Sequence, residues 1–300
     1  MSVSSAAFTG CGTALVTPFE RDLSIDEPAL RELIRWQIEQ GIHFLVPCGT
    51  TGESPTLTRA EHLRVVAITV EEARGKVPVL AGAGGYNTAE VIELAREIEK
   101  LGAQGILSVT PYYNRPSQEG LYQHYRAIAE AIGMPVVIYS VQGRTGVNVE
   151  PATLARLAAI PNIIGVKEAS GNISQMASVI QQVPEGFLVL SGDDAITLPI
   201  MALGGHGTIS VASNEIPGPM SKLVQLCLQN NFAEARKLQR QYLPLMEINF
   251  VESNPIPVKA ALGLMGKLDP VFRLPLVPPS AENLKKIENV LRSLGLAKGN

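Results

Sequence analysis

Eight short apolar runs, each followed by a longer stretch of helical period, constrain this chain more than any other feature. The runs cover residues 13–19, 43–49, 77–84, 105–111, 135–141, 162–169, 187–192 and 207–213, and all are rich in Val, Ile and Leu. Between them lie amphipathic segments such as PALRELIRWQIEQG (28–41) and AEVIELAREIEKLG (89–102), each closed by the glycine expected just past a helix end. Strands alternating with helices read as parallel βα units, and strands this apolar are covered on both faces. Eight such units with no linker or shift of composition between them predict an α/β fold closed as a (β/α)8 TIM barrel.

The alternative is an open, doubly wound sheet, whose nucleotide-binding turn needs glycines at fixed offsets. Here Gly82-Ala83-Gly84-Gly85-Tyr86-Asn87 has asparagine at the third glycine position, so a tight strand-to-helix turn is the better reading. A nicotinamide oxidoreductase loses its support at the same point. Beyond the eighth run the chain holds more helix than one unit requires, in NNFAEARKLQRQYLPLMEINF and AENLKKIENVLRSLG. The expected organisation is a barrel over 1–225 with an appended C-terminal helical segment, 226–300, packed on it.

At 300 residues and 46% hydrophobic, the chain can bury one large core, and its net charge of −3 leaves no broad basic surface for nucleic acid or anionic membranes. Three scattered cysteines, Cys11, Cys48 and Cys227, do not make a disulfide framework and suit a reducing compartment, so a cytoplasmic protein is expected. The four histidines fall in separate segments without ligand spacing, which disfavours a metal centre. Asp193 and Asp194 after the seventh run are read as a cap or turn more readily than as a Mg²⁺ site. A G-x-S-x-G elbow is absent, which removes the commonest serine hydrolase arrangement.

In a barrel of this kind chemistry sits where strands end, so polar residues closing the apolar runs matter most. Lys167 in NIIGVKEASGN follows Ile163, Ile164, Gly165 and Val166 inside an expected core strand. A lysine so placed either pairs with a neighbour such as Glu168, or snorkels past the rim, or presents an amine able to attack a ketone. Tyr139 closes the preceding run, on the strand that lies beside Lys167 in a parallel barrel, where a phenol can carry protons during imine chemistry. The turn CGTTGES offers Thr50 and Thr51 between Gly49 and Gly52, a nest suited to a small carboxylate, or else an ordinary glycine-rich turn capping the next helix.

Taken in order, GTALVTPF, CGTTGES, VTPYYNRPSQEGLYQHY, YSVQGRTG, NIIGVKEASGN, SGDD, GGHGTISVASN and NPIPVK resemble the dihydrodipicolinate synthase family of the pyruvate-dependent class I aldolases, over nearly the whole chain. The resemblance implies a pyruvate imine on Lys167, with Tyr139, Thr50 and Tyr113 as a proton relay to which Tyr113 comes from the neighbouring subunit of a homotetramer built of tight dimers. It implies that Thr51 holds the pyruvate carboxylate, that Gly192 and the backbone near Ile209 line the pyruvate pocket, and that Arg144 receives L-aspartate 4-semialdehyde. The implied product is the cyclic precursor of lysine, formed without a metal or organic cofactor. Ser54, His62, Glu90 and Tyr112 match the allosteric lysine site of regulated relatives, while Arg59 and Tyr86 replace the His and Asn found there.

N-acetylneuraminate lyases and sugar-acid aldolases of the same superfamily share the lysine and tyrosine, so those two residues do not separate the activities. Arg144 in GRTG does separate them, because its planar fork suits a short carboxylate better than a polyhydroxylated chain. Ser140 and Gln142 depart from the family's YNVPGRTG pattern and free the loop that carries Arg144 from a proline. A non-catalytic binding protein on the same barrel would tolerate loss of Lys167 or Tyr139, and both are present.

Overall fold

The computed structural model describes residues 5–297. Its eight strands are β1 (Gly10–Ala14), β2 (Phe44–Val46), β3 (Leu80–Gly82), β4 (Gly105–Val109), β5 (Val136–Ser140), β6 (Ile163–Glu168), β7 (Leu188–Ser191) and β8 (Gly207–Ser210). All pair in parallel, in the order β2-β1-β8-β7-β6-β5-β4-β3, and a parallel bridge from Leu45 to Val79 brings β2 against β3 to close the barrel. Helices α1 (Glu27–Glu39), α2 (Arg59–Ala73), α3 (Thr88–Lys100) and α4 (Gln118–Ala131) follow the first four strands in turn. After β5 come a single turn, α5 (Gln142–Thr145), and α6 (Pro151–Leu157); α7 (Ile173–Gln182), α8 (Thr197–Ala202) and α9 (Pro217–Leu228) follow β6, β7 and β8. The chain ends in α10 (Phe232–Ile248), α11 (Ile256–Leu264) and α12 (Ala281–Ser293).

Local chemistry explains where these helices start and stop. Asp26 caps α1, Thr58 and Glu61 form a reciprocal capping box at α2, and Gly41 and Gly102 take positive φ just beyond α1 and α3. Side-chain alternation then divides the apolar residues between two cores. Val137, Tyr139, Leu188, Leu190 and Ile209 point into the barrel, where Phe8 and Phe44 fill its base edge-to-face at 5.7 Å. Their strand neighbours Ile138, Val166 and Val189 point outward into the larger core beneath the helices.

Two boundaries differ from the sequence reading. The first strand lies at Gly10–Ala14, ahead of most of the apolar run at 13–19, because the ladder here needs glycine more than it needs apolar side chains. A Cβ on Gly12 would stand 2.1 Å from the Phe44 ring. The other is the line drawn at residue 225, which α9, the helix of the eighth unit, crosses. Among the appended elements, α10 packs on α8 and α9, and the loop from Asn249 to Pro255 carries the chain to the strand C-terminal face.

Beside α9 and α10 the fold buries Glu215 almost completely, with Asn249 Nδ2 donating to its Oε2 at 2.6 Å. Burial pushes this carboxyl well above the usual carboxylate range; the amide hydrogen bond opposes that push and nearby Asp194 adds to it. The folded state therefore binds the proton more tightly than the unfolded chain. Its stabilising effect is complete below the ordinary carboxyl value and is lost as pH rises through the folded one. Glu215→Gln, which keeps the shape and cannot ionise, should melt with the parent at acidic pH and above it at pH 8, by on the order of 2–4 °C. Parallel melting curves across that range would refute a buried neutral acid.

Candidate active site

The C-terminal ends of the strands surround a cavity of about 130 Å³ lined by Thr50, Thr51, Tyr139, Arg144, Lys167 and Gly192, among others. Six of the residues singled out in the sequence therefore meet in one space. Register accounts for the central pair: Lys167 stands opposite Tyr139 on β5 and Leu190 on β7, so all three face inward. The ammonium nitrogen sits 4.2 Å from the centroid of the Tyr139 ring, and both residues are buried.

Glu168 does not neutralise this lysine. One residue on, it points out of the barrel and accepts hydrogen bonds from Ser170 N, Ser170 Oγ and Gln175 Nε2. Burial raises the Glu168 carboxyl above its usual range against the pull of these donors. Among the described residues Lys167 makes no ion pair and no side-chain hydrogen bond, so its amine is held in place by packing and by the tyrosine face. Gly192 makes room for it, since a Cβ there would lie 3.1 Å from Lys167 Cε and 2.6 Å from Ala169 Cβ.

Thr50 and Thr51 sit on the turn after β2, where Gly52 N and Glu53 N donate back to Gly49 O and Thr50 O. Two contacts from beyond the barrel hold this turn. Asn254 Nδ2 donates to Thr51 Oγ1 at 3.0 Å, while Asn254 O accepts from Arg144 Nη2 at 3.1 Å, so one residue ties the two sides of the cavity together. Lys259 of α11 donates to Glu53 Oε1 at 2.6 Å and to Val271 O at 2.7 Å, wholly buried, with its nitrogen 4.4 Å from the Phe19 ring. Burial pushes Glu53 up and Lys259 down, and each charge opposes the other's shift. Removing one partner of such a pair leaves an unpaired buried charge, at a cost of about 3–5 kcal/mol.

Asn254, Glu53 and Lys259 went unassigned in the sequence reading. The signal was present, since Lys259 follows Ile256, Pro257 and Val258 much as Lys167 follows its apolar strand, and NPIPVK is itself a recognisable motif. The loss of proline at Gln142 does not unravel the arginine loop. Thr145 Oγ1 donates to the carbonyls of Val141 and Val147, Thr110 Oγ1 donates to Thr145, and Ser140 Oγ accepts from Val149 N.

Other expected residues lie elsewhere. Ile209 is buried in the barrel interior on β8, opposite Gly12, and does not line the cavity. Tyr113 is 92% exposed, in the left-handed region at φ 67°, and does not line its own chain's lysine cavity. Ser54, His62 and Tyr112 line a larger adjoining cavity of about 480 Å³ together with Arg59; Glu90 is outside that lining and accepts from Asn87 Nδ2. Asp193 and Asp194 behave as caps, Asp193 toward Ala195 N and Asp194 toward Val211 N and Ala212 N.

A (β/α)8 barrel with an unpaired lysine against a tyrosine at its inner rim is the architecture of a class I aldolase-type lyase. The model of the dihydrodipicolinate synthetase family matches residues 7–294, and the chain belongs to that family. It is 56% identical over 290 residues to a 4-hydroxy-tetrahydrodipicolinate synthase of Koribacter versatilis, covering 96% of this chain and 97% of that one. A synthase of the same name from Chloroherpeton thalassium is 51% identical over 291 residues, covering 97% and 96%. The crystal structure of dihydrodipicolinate synthase from Aquifex aeolicus superposes with a TM-score of 0.95 at 40% identity, over 97% of this chain and 100% of that chain.

Proposed function

We propose that Lys167 carries the pyruvate imine through which this lyase condenses pyruvate with L-aspartate 4-semialdehyde to 4-hydroxy-tetrahydrodipicolinate. The observation that carries the reading is a solitary buried amine, facing a phenol in a cavity sized for a three-carbon acid. Full-length identity of half or more to synthases favours this activity over the sialic acid and sugar-acid aldolases.

The chemistry follows from the groups present. Lys167 Nζ attacks the pyruvate ketone, and the carbinolamine loses water once its oxygen is protonated; Tyr139, with Thr50 and Tyr113, moves that proton. The protonated imine then serves as the electron sink, the role a bound organic cofactor would otherwise fill, and allows a methyl proton to leave. The enamine carbon attacks the aldehyde, whose own amine displaces Lys167 from the imine carbon and closes the ring. The net change releases one water. Thr51 holds the pyruvate carboxylate and Arg144 that of the aldehyde, with Gly192 completing the pyruvate pocket.

Tyr113 supports a shared site, because an exposed tyrosine on a left-handed turn is available to a second chain and not to its own cavity. The assembly is a homotetramer of tight dimers. No described helix is long and apolar enough to cross a membrane, and three buried free thiols suit the reducing cytoplasm. Trapping with borohydride in the presence of pyruvate tests the central assignment.

Free lysine should inhibit weakly. Tyr86 packs edge-on, with ring centroids 5.2 Å apart, against Tyr112, which lines the same cavity as Ser54 and His62. Burial lowers the His62 imidazole, whose Nε2 lies 2.8 Å from Gly82 O, so the ring is neutral and adds no charge. Arg59 Nε is paired with Glu97 at 2.8 Å, and Tyr86 stands where regulated relatives have the Asn that binds the effector carboxylate. Losing one hydrogen bond to a charged group weakens binding by about tenfold or more. Titrating lysine at sub-saturating pyruvate should give half-inhibition above about 1 mM, and a much lower value would show that Arg59 leaves Glu97 for the effector.

A further inference from the structure

Buried threonine hydroxyls in this barrel spend their protons on the chain itself. Thr13 donates to Gln37 Oε1, Thr17 to Gly52 O, Thr69 to Val65 O and Thr208 to Ser191 O. Thr51 is just as deeply buried and does the opposite. Its Oγ1 accepts from Asn254 Nδ2 at 3.0 Å and donates to no group of the chain among the described residues. A hydroxyl has one proton and two lone pairs, and an amide N–H aimed at the oxygen keeps that proton from pointing back along the same line. The proton is left to turn into the cavity that Thr51 lines. Buried polar groups nearly always find a partner, and here the partner has to come from outside the chain.

Asn254 lies on the loop that returns from α10 across the strand ends, 6% exposed and lining the same cavity. Among the described residues Thr51 is the only hydrogen-bond partner of its amide, since Oδ1 is buried and accepts nothing. The backbone carbonyl is engaged separately, by Arg144 Nη2 at 3.1 Å. We propose that Asn254 is a positioning residue that fixes the polarity of the Thr51 hydroxyl, so that the threonine presents a proton donor to the carboxylate of the 2-oxo acid held on Lys167. The proposal rests on Lys167 as the site of pyruvate attachment and on Thr51 as the partner of the carboxylate. Asn254 acts through Thr51 and touches no reacting atom. The NPIPVK motif then serves the threonine turn twice, with Asn254 directing its hydroxyl and Lys259 anchoring Glu53 below it.

The test compares second-order trapping rates on Lys167, with cyanoborohydride, for pyruvate and for acetone, which is pyruvate with a methyl group in place of the carboxylate. Asn254→Asp replaces the donor by an acceptor of nearly the same shape, which takes the Thr51 proton out of the cavity. Pyruvate trapping should fall about 10- to 100-fold, as for one lost hydrogen bond to a charged group, while acetone trapping stays at the parent rate. In a Thr51→Val background there is no hydroxyl to direct, so the same substitution should lower pyruvate trapping by less than about twofold. Asn254→Ala removes the donor without adding charge and should lose about 3- to 10-fold with pyruvate alone, which carries the test if the aspartate variant does not fold. Because the backbone carbonyl still holds Arg144, its KM for L-aspartate 4-semialdehyde should change by less than about twofold.

Pyruvate trapping by Asn254→Asp at the parent rate overturns the proposal, since an acceptor then serves Thr51 as well as a donor. Equal losses with pyruvate and acetone overturn it by showing that Asn254 only shapes the loop. A loss that persists in Thr51→Val overturns it in favour of repulsion by the new carboxylate. Thr51→Val that traps pyruvate at the parent rate removes Thr51 as the carboxylate's partner, and a parent chain that traps no pyruvate at Lys167 overturns the imine; the proposal falls with either.

Discussion

Lys167→Ala should lose at least about 10³-fold in turnover while keeping the fold, because it removes the only atom that bonds pyruvate. The chain buries two lysines at the end of apolar stretches, and their surroundings differ in the way that decides reactivity. Lys259 is saturated by Glu53 and by Val271 O, away from any cavity that holds Lys167. Lys167 has a tyrosine ring and open space in front of it. Borohydride with pyruvate should therefore add the mass of one pyruvate less one oxygen atom, at Lys167, and abolish activity in proportion. Peptide mapping that finds the adduct on Lys259, or no adduct in an active preparation, would falsify the assignment. Lys259→Met is a useful contrast: it should lower the melting temperature through the stranded Glu53 carboxylate and leave trapping at Lys167 intact in the folded fraction.

Tyr113→Phe should lower turnover by about 10²- to 10⁴-fold while pyruvate trapping survives, since a relay member acts on proton transfer and not on attachment of the ketone. Its position on the chain sharpens the expectation. Tyr112 lines the cavity beside Lys167's and packs on Tyr86, whereas Tyr113 is almost wholly exposed on a left-handed backbone. If Tyr113 serves the lysine of a second chain, mixed oligomers of Tyr113→Phe and Lys167→Ala subunits contain sites with both residues intact. Such hybrids should regain activity that neither parent shows. Unchanged turnover in Tyr113→Phe sinks the relay, and verified hybrids without any recovery sink the sharing of the site between chains.

The barrel was legible in the sequence because its determinants are local. Eight runs with apolar side chains on both strand faces, separated by helices with caps and terminal glycines, leave few arrangements other than a closed parallel sheet. Lys167 and Tyr139 were legible for the same reason, as polar residues ending strands adjacent in order, whose shared inward face follows from the two-residue period. The first strand was misplaced because hydrophobicity marks burial, and β1 is built on glycines that let a phenylalanine ring approach its backbone.

What the sequence could not decide is which charges find partners, since partnership depends on chain segments about 200 residues apart. Lys167 beside Glu168 and Lys259 in an apolar helix look alike in one dimension, yet the strand pleat sends Glu168 out of the barrel and the fold brings Glu53 onto Lys259. The same holds for Asn254, whose side chain and carbonyl reach Thr51 and Arg144 only because the loop after α10 returns across the strand ends. Local periodicity determined the barrel and the rim on which chemistry sits; long-range contact determined which of two buried amines is left free, because desolvation is local while neutralisation requires a second group brought close in space.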